Sequence, residues 1–307
     1  MKVPGKVVVT GGAGFIGSHL VEALVSRGFE TIAIDNLSSG SWDKIPPAAR
    51  ENIRCVEAEC LDANLLDESC FGARCIFHLA AVSSVEASLR DPLANIRSGE
   101  MAFLAVLESA RRCSVPNVVY SSSAAVYGNP MKLPINEEHP TNPLSYYGVS
   151  KLAGEHYLRC FAQLSGATAT ALRFFNVYGP RQDPTNPYSG VISKFIAAVE
   201  AREPVTICGD GQQTRDFVNV TDVVAALLAA GERSNSEFTA LNVASGKGAS
   251  VNELAALVAE ARKSNVSPVH VGPREGEIRH SLGDTNRAEE VIGFTAKMSV
   301  AEGLRSM

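Results

Sequence analysis

Residues 7–17 read Val7-Val-Val-Thr10-Gly11-Gly-Ala-Gly14-Phe-Ile-Gly17. Three consecutive valines with no polar residue between them call for an extended strand covered on both faces. Glycines follow at the GxGxxG spacing, Gly12, Gly14 and Gly17, and apolar residues at helical spacing begin directly after them. GxGxxG alone is a common string; a strand before it and a helix after it give it weight. The same alternation runs outward through the first half of the chain. Strand-like runs occur at 6–10, 31–34, 53–56, 75–79, 117–121 and 168–174, with helical spacing at 17–27, 99–112 and 147–164. Strands that alternate with helices imply βαβ units. The fold class expected is therefore α/β, a doubly wound parallel sheet with helices on both faces.

The turn has a chemical use. Without Cβ atoms, glycines let backbone N–H groups approach a pyrophosphate, and the helix N-terminus adds a partial positive charge. Asp35 ends the second strand-like run, eighteen residues after Gly17. A carboxylate there accepts hydrogen bonds from ribose hydroxyls and repels a 2′-phosphate. The cofactor expected is NAD.

Beyond about residue 175 the texture changes. Turn-rich stretches at 179–187 and 209–213 separate shorter elements, with helices expected at 190–201, 221–233 and 251–264. This reads as a smaller mixed substrate-binding region at the C-terminal edge of the sheet, where open α/β sheets bind ligands. The division expected is 1–175, with returning segments from about 214–245, against 176–307.

Tyr147-Gly-Val-Ser-Lys151 places a phenol and an ammonium four residues apart, on one face of a helix. Tyr146 is out of step with Lys151. A phenol ionises near pH ~10, so work as a base near neutrality requires a shift of about 3 units, or ~4 kcal/mol. A fixed lysine cation and an oxidised nicotinamide favour the phenolate. Ser121-Ser122-Ser123 ends the fifth strand at the same sheet edge, where a hydroxyl reaches the reacting oxygen of a substrate.

TGGAGFIG at 10–17, SSSAAVYG at 121–128 and YYGVSK at 146–151 together resemble the extended short-chain dehydrogenase/reductases, and within them the UDP-hexose 4-epimerases. The resemblance covers essentially the whole chain. It implies a Rossmann-type sheet and tightly held NAD, with Ser123, Tyr147 and Lys151 as the catalytic residues. Around the cofactor it implies Gly11, Gly14, Phe15, Ile16, Gly17, Asp35, Asn36, Ser38, Ser39, Gly40, Glu59 and Cys60. It adds Leu79, Ala80, Ala81, Ser98, Ser121, Tyr147, Lys151 and Phe175. Around a UDP-hexose it implies Ser83, Ser123, Tyr147, Asn176, Gly190, Val191, Thr206, Arg215, Arg274, Glu277 and Ser281. Arginine suits the diphosphate because its guanidinium donates in pairs.

Some positions depart from the family pattern. Dehydratase and decarboxylase relatives carry an acid after the serine cluster, where Ala124 and Ala125 stand here, which favours epimerisation. A cofactor-contacting Asn of the family falls at Ser98 or Gly99, and a Lys at Ser83. Ser281 occupies the place that borders the sugar C2 substituent. A small side chain there leaves room for an N-acetyl group, so both plain and N-acetylated UDP-hexoses are expected substrates. The competing readings are a nucleotide-sugar 4,6-dehydratase or decarboxylase, and a non-catalytic NAD-binding scaffold. The scaffold has no need of Ser123, Tyr147 and Lys151 together. Apolar-rich stretches 99–112 and 147–164 resemble the helices that pair in family homodimers, while the same pattern also serves an intramolecular core.

Composition sets the outer limits. A net charge of -5 from 28 Lys+Arg and 33 Asp+Glu excludes the broad basic face that a nucleic-acid partner requires. No apolar run reaches membrane-span length, and the N-terminus lacks the apolar stretch of a signal peptide. Seven scattered cysteines show no zinc or redox spacing, which predicts free thiols, no metal and a cytoplasmic location.

Overall fold

β1 (Lys6–Thr10), β2 (Glu30–Asp35), β3 (Ile53–Glu57), β4 (Ala73–His78), β5 (Asn117–Ser123) and β6 (Thr168–Phe174) alternate with helices as the sequence pattern requires. A computed structural model describes residues 4–82, 84–183, 190–265, 267–273 and 278–307. Six further strands follow among the described residues: β7 (Asn176–Tyr178), β8 (Thr206–Cys208), β9 (Thr214–Asn219), β10 (Phe238–Val243), β11 (Gly248–Ser250) and β12 (Val269–Val271). The main sheet has the order β10-β6-β5-β4-β1-β2-β3, and every pairing in it is parallel. It is the doubly wound α/β sheet that the alternation implies. The order reverses between β1 and β4, which opens a crevice at the carboxyl ends of those strands.

The valines of β1 show why the sheet is covered on both sides. Val7 and Val9 enter one core layer with Leu20, Leu24, Phe77, Leu172, Val223 and Leu227. Val8 points the other way, among Ile32, Ile76, Phe103, Val106, Tyr120 and Leu158. The helices Phe15–Ser26 and Val220–Gly231 supply the first layer. Ala63–Cys70, Ala102–Arg112 and Tyr146–Ser165 supply the second.

Differences from the pattern are local. The stretch expected as a helix from 99 opens with a π-turn, Arg97–Met101, and becomes α-helical at Ala102. The helix that begins at Val251 stops at Ala261.

β7, β9 and β11 form a mixed three-stranded sheet, and β8 pairs with β12. Their own core joins Phe195, Ile196, Ile207, Phe217, Leu254 and Val258. β7 begins two residues after β6 ends, so this smaller region sits beyond the C-terminal edge of the main sheet. All seven cysteines are free thiols. Among the described residues no helix is long and apolar enough to cross a membrane, and no His, Cys, Asp and Glu side chains gather as a metal site.

Candidate active site

The glycine turn is built by backbone closeness. Gly11 has φ 72, and a Cβ there would lie 2.7 Å from the Ala80 backbone nitrogen. A Cβ on Gly17 would lie 2.0 Å from the Gly11 carbonyl oxygen, so the helix Phe15–Ser26 starts where only glycine fits. Gly14 caps that helix without any side-chain hydrogen bond. Its first-turn amides therefore face the crevice with no side-chain cap, the donor set a pyrophosphate uses. A Cβ on Gly14 would meet only the Gly11 oxygen, at 3.1 Å. Space for a ligand lies on that side.

Asp35, buried at the end of β2, accepts from the Ala13 amide at 3.0 Å and from the Leu37 amide at 2.9 Å. One carboxylate thus fixes the glycine turn and the next loop, and each oxygen keeps a lone pair for a ribose hydroxyl. Asn36 Oδ1 accepts from the Ser38 amide and hydroxyl. Gly40 packs against Ala13, where a Cβ would come within 2.9 Å of the carbonyl oxygen. The Leu79 amide donates to the Thr10 carbonyl, which lays Leu79, Ala80 and Ala81 along the turn. Cys60 is buried and hydrogen-bonded to Thr10; burial pushes its thiol up to about 12, so it is a neutral wall. Phe15 and Ile16 open the helix. The glycine turn, with Asp35 fixed against it, fits NAD.

Tyr147, Lys151 and Ser123 meet one strand away. Ser145 caps the helix Tyr146–Ser165 by accepting from the Gly148 amide at 3.1 Å. From that start, Tyr147 and Lys151 both turn toward β5. Tyr147 is seated beside Lys151, whose Nζ lies 5.8 Å from its ring centre, whereas Tyr146 is half exposed. Lys151 is buried, and its Nζ donates to the Ser121 carbonyl at 2.7 Å. Burial pulls the Lys151 ammonium down to about 8. Burial also raises the Tyr147 phenol above its ordinary value, and the Ser123 hydroxyl pulls it back. In the chain alone desolvation is the larger effect. His78 beside them is core. It stacks on Phe103, its Nδ1 meets Thr10 Oγ1 at 2.8 Å, and burial holds it near 3.

Other expected contacts lie further out. Glu59 pairs with Arg97 at 3.1 Å on the surface, and Ser98 donates back to the Ala94 carbonyl within its own helical turn. Phe175 is buried with Val126, Tyr127 and Ile135 and lies against Gly283. Asn176 is exposed at the start of β7. Gly190 caps the helix Val191–Glu200, and Thr206 is exposed at the start of β8. Arg215 on β9 donates to the Thr214 carbonyl, and the Ser281 amide donates to that same carbonyl at 3.1 Å. Arg215 and Ser281, far apart in sequence, therefore stand together. Ser83, Arg274 and Glu277 lie outside the described residues.

Several polar residues were missed. Asp216, fully buried, accepts from the Ser245 amide and hydroxyl, the Gly246 amide and the Gly283 amide. It pins the loop after β10 and the segment after Ser281 to β9. Asn95 reaches the Tyr146 carbonyl and Ser150 at the head of the catalytic helix. Glu155 and Arg173 form a buried ion pair beneath Ser122. The only sequence signal was a charged residue inside an otherwise apolar pattern.

The profile of the NAD dependent epimerase/dehydratase family matches residues 7–244. The UDP-glucose 4-epimerase of Mycolicibacterium smegmatis is 38% identical, over 97% of this chain and 96% of its own length. Among solved structures, the UDP-N-acetylglucosamine 4-epimerase from Methanobrevibacter ruminantium, in complex with UDP-N-acetylmuramic acid, matches with a TM-score of 0.94. It is 36% identical, covering 99% of this chain and 96% of that one. The UDP-glucose 4-epimerase from Thermotoga maritima with UDP-glucose gives a TM-score of 0.92 at 37% identity, covering 98% and 96%.

Proposed function

The chain belongs to the NAD dependent epimerase/dehydratase family, and on that premise we propose that it is a UDP-sugar 4-epimerase acting on UDP-glucose and UDP-galactose. We extend the proposal to their N-acetylated forms, because Ser281 is small where it borders the sugar. The observation that carries the reading is the seating of Tyr147 and Lys151 at the carboxyl end of β5, with Lys151 Nζ 5.8 Å from the Tyr147 ring centre and donating to the Ser121 carbonyl at 2.7 Å, and with Ala124 and Ala125 following Ser123. A base with one partner and no neighbouring acid is equipped to move a single proton to and fro. Elimination or decarboxylation calls for further acid–base groups.

In this reading the amides of Gly14–Gly17 hold the pyrophosphate of NAD, and Asp35 with Asn36 holds its adenosine ribose. When bound, NAD supplies reversible oxidation at the sugar C4 with no net redox change. Ser123 donates to the sugar O4 and orients it. Tyr147 takes the O4 proton and later returns it. Lys151 holds a positive charge beside the phenolate that forms. Inversion requires the 4-keto sugar to turn over in the pocket between those two proton transfers. Arg215, with Arg274 and Glu277, holds the nucleotide so that the sugar turns while its anchor stays.

Exposed apolar side chains, Leu89, Leu93 and Met101 before the helix Ala102–Arg112, with Val149 and Leu164 on the catalytic helix, favour a homodimer. Free thiols suit a cytoplasmic enzyme.

The test is incubation of the purified protein with UDP-glucose, and separately with UDP-N-acetylglucosamine, followed by resolution of the nucleotide sugars. Formation of UDP-galactose or UDP-N-acetylgalactosamine is the expected outcome. A 4-keto-6-deoxy sugar or a pentose would overturn the reading in favour of a dehydratase or decarboxylase. Absence of any turnover would favour a scaffold.

A further inference from the structure

The three serines that end β5 are each engaged by the catalytic helix, in step with its turns. Ser121 offers its carbonyl to Lys151 Nζ at 2.7 Å. Ser122 donates its hydroxyl to Glu155 Oε1 at 2.5 Å. Ser123, the last of the three, acts on the Tyr147 phenol and draws its ionisation down. Residues 147, 151 and 155 are four apart, so they form one stripe along the helix. The first two are expected chemistry. The third, Glu155, is almost fully buried and touches neither the turn of β1 nor the surface.

Glu155 is held in place from its far side. Arg173 on β6 grips it with both arms of its fork, Nε to Oε1 at 2.9 Å and Nη2 to Oε2 at 2.7 Å. The remaining arm of Arg173 donates to the Tyr127 hydroxyl at 2.9 Å and to the Glu137 carbonyl at 3.2 Å. Tyr127 in turn donates to Asn242 Oδ1 at 2.7 Å. Ion pairs at this depth contribute little net stability, because desolvation of both charges offsets their attraction. Their geometry is specific, however, and a bidentate pair leaves a carboxylate one orientation.

We propose that Glu155, oriented by Arg173, is a positioning residue that sets the approach of β5 to the catalytic helix and so the placement of Ser123 against Tyr147. The link runs through one residue: Ser122 is adjacent to Ser123, and its hydroxyl ties that strand to Glu155. When the tie is cut, the strand end is free to drift from the helix by a fraction of an ångström. Proton transfer between positioned groups is sensitive to shifts of that size. The proposal rests on the reading of Tyr147 and Ser123 as the proton-transfer pair.

Ser122→Ala tests it, because the substitution leaves the Glu155–Arg173 pair and its other hydrogen bonds whole. The readout is the ionisation of Tyr147 in the NAD-loaded protein. It is followed as tyrosinate absorbance against pH and taken as the difference from the same chain carrying Tyr147→Phe. Groups that face the phenol, Ser123 and Tyr120 from β5 and Lys151 from the helix, are unchanged. The Ser123 hydroxyl lowers the phenol, so its withdrawal moves the titration to higher pH, toward that of Ser123→Ala. We expect that upward shift, with kcat reduced about 10- to 100-fold and substrate KM unchanged. A titration superimposable on that of the unsubstituted protein overturns the proposal, since a purely structural role for Glu155 leaves the phenol where it was. The titration needs no sugar nucleotide. A failure of the epimerase reading appears instead as absence of turnover in the unsubstituted enzyme.

Discussion

Lys151 Nζ lies 5.8 Å from the centre of the Tyr147 ring, yet its hydrogen bond goes to the Ser121 carbonyl. The ammonium is anchored to the strand and acts on the phenol through space. Among the described residues no carboxylate pairs with it, and burial lowers its pKa.

That arrangement costs stability, with a defined pH dependence. In the folded chain Lys151 titrates at about 8, against 10.5 for the ordinary side chain. Between those values the unfolded chain binds more protons, so stability rises with pH across the window from about 8 to 10.5. Below it the full penalty applies, roughly 3 kcal/mol. Lys151→Met is therefore expected to raise the melting temperature of the cofactor-free protein at pH 7, with the gain vanishing toward pH 10.5. The same variant loses epimerase activity. Thermal melts of both proteins at a series of pH values check the sign.

Tyr147→Phe removes the proton carrier and leaves the ring. We expect kcat to fall by roughly 10²- to 10⁴-fold with NAD still bound. Because burial raises the phenol above its ordinary value in the chain alone, the unsubstituted enzyme is expected to gain activity as pH rises through the Tyr147 ionisation. A pH–rate profile of kcat reports that limb, and its loss in Tyr147→Phe assigns it.

Two glycines of the turn separate packing from binding. At Gly17 a Cβ would sit 2.0 Å from the Gly11 oxygen, whereas at Gly14 the nearest atom is the same oxygen at 3.1 Å. Gly17→Ala is expected to open the turn, lower the melting temperature and release bound NAD. Gly14→Ala is expected to keep the fold and weaken only the cofactor. Melting curves, together with the NAD recovered per chain after denaturation, distinguish the two.

Ser281 follows the exposed His280, whose ring nitrogen meets Thr214 Oγ1 at 2.9 Å. Its own amide is tied to the Thr214 carbonyl, so the backbone there is fixed and a larger side chain must fill space. Ser281→Tyr is expected to abolish turnover of UDP-N-acetylglucosamine while that of UDP-glucose falls by less than about tenfold, the cost of one crowded contact. Parallel assays of kcat/KM on the two substrates measure the ratio.

Reading the sequence reached the parts of this molecule whose physics is local. A strand, a glycine turn and a helix N-terminus lie within twelve residues, and Tyr147 and Lys151 declare themselves by one helical turn. Glu155, Arg173, Asp216 and Asn242 stayed hidden because each acquires its role from a distant partner. Arg173 and Glu155 are 18 residues apart, and Tyr127 and Asn242 are 115 apart. An isolated charge in an apolar run reads equally well as a solvated edge until its partner is placed opposite. The level of the Tyr147 phenol was hidden for a related reason: the spacing of a lysine reveals a nearby cation but not how dry the pocket is.

β10 joins the main sheet only after the chain has visited the smaller region, and it pairs with β6 from Ala169 to Phe174. A fragment cut after Phe175 would thus keep every glycine of the turn and all three proton-transfer residues while stripping the outer side of β6. It would bare a six-residue row of amides and carbonyls with nothing alongside. Such an edge invites pairing with other chains. The half of the molecule that holds the recognisable motifs is accordingly the half least suited to be made alone.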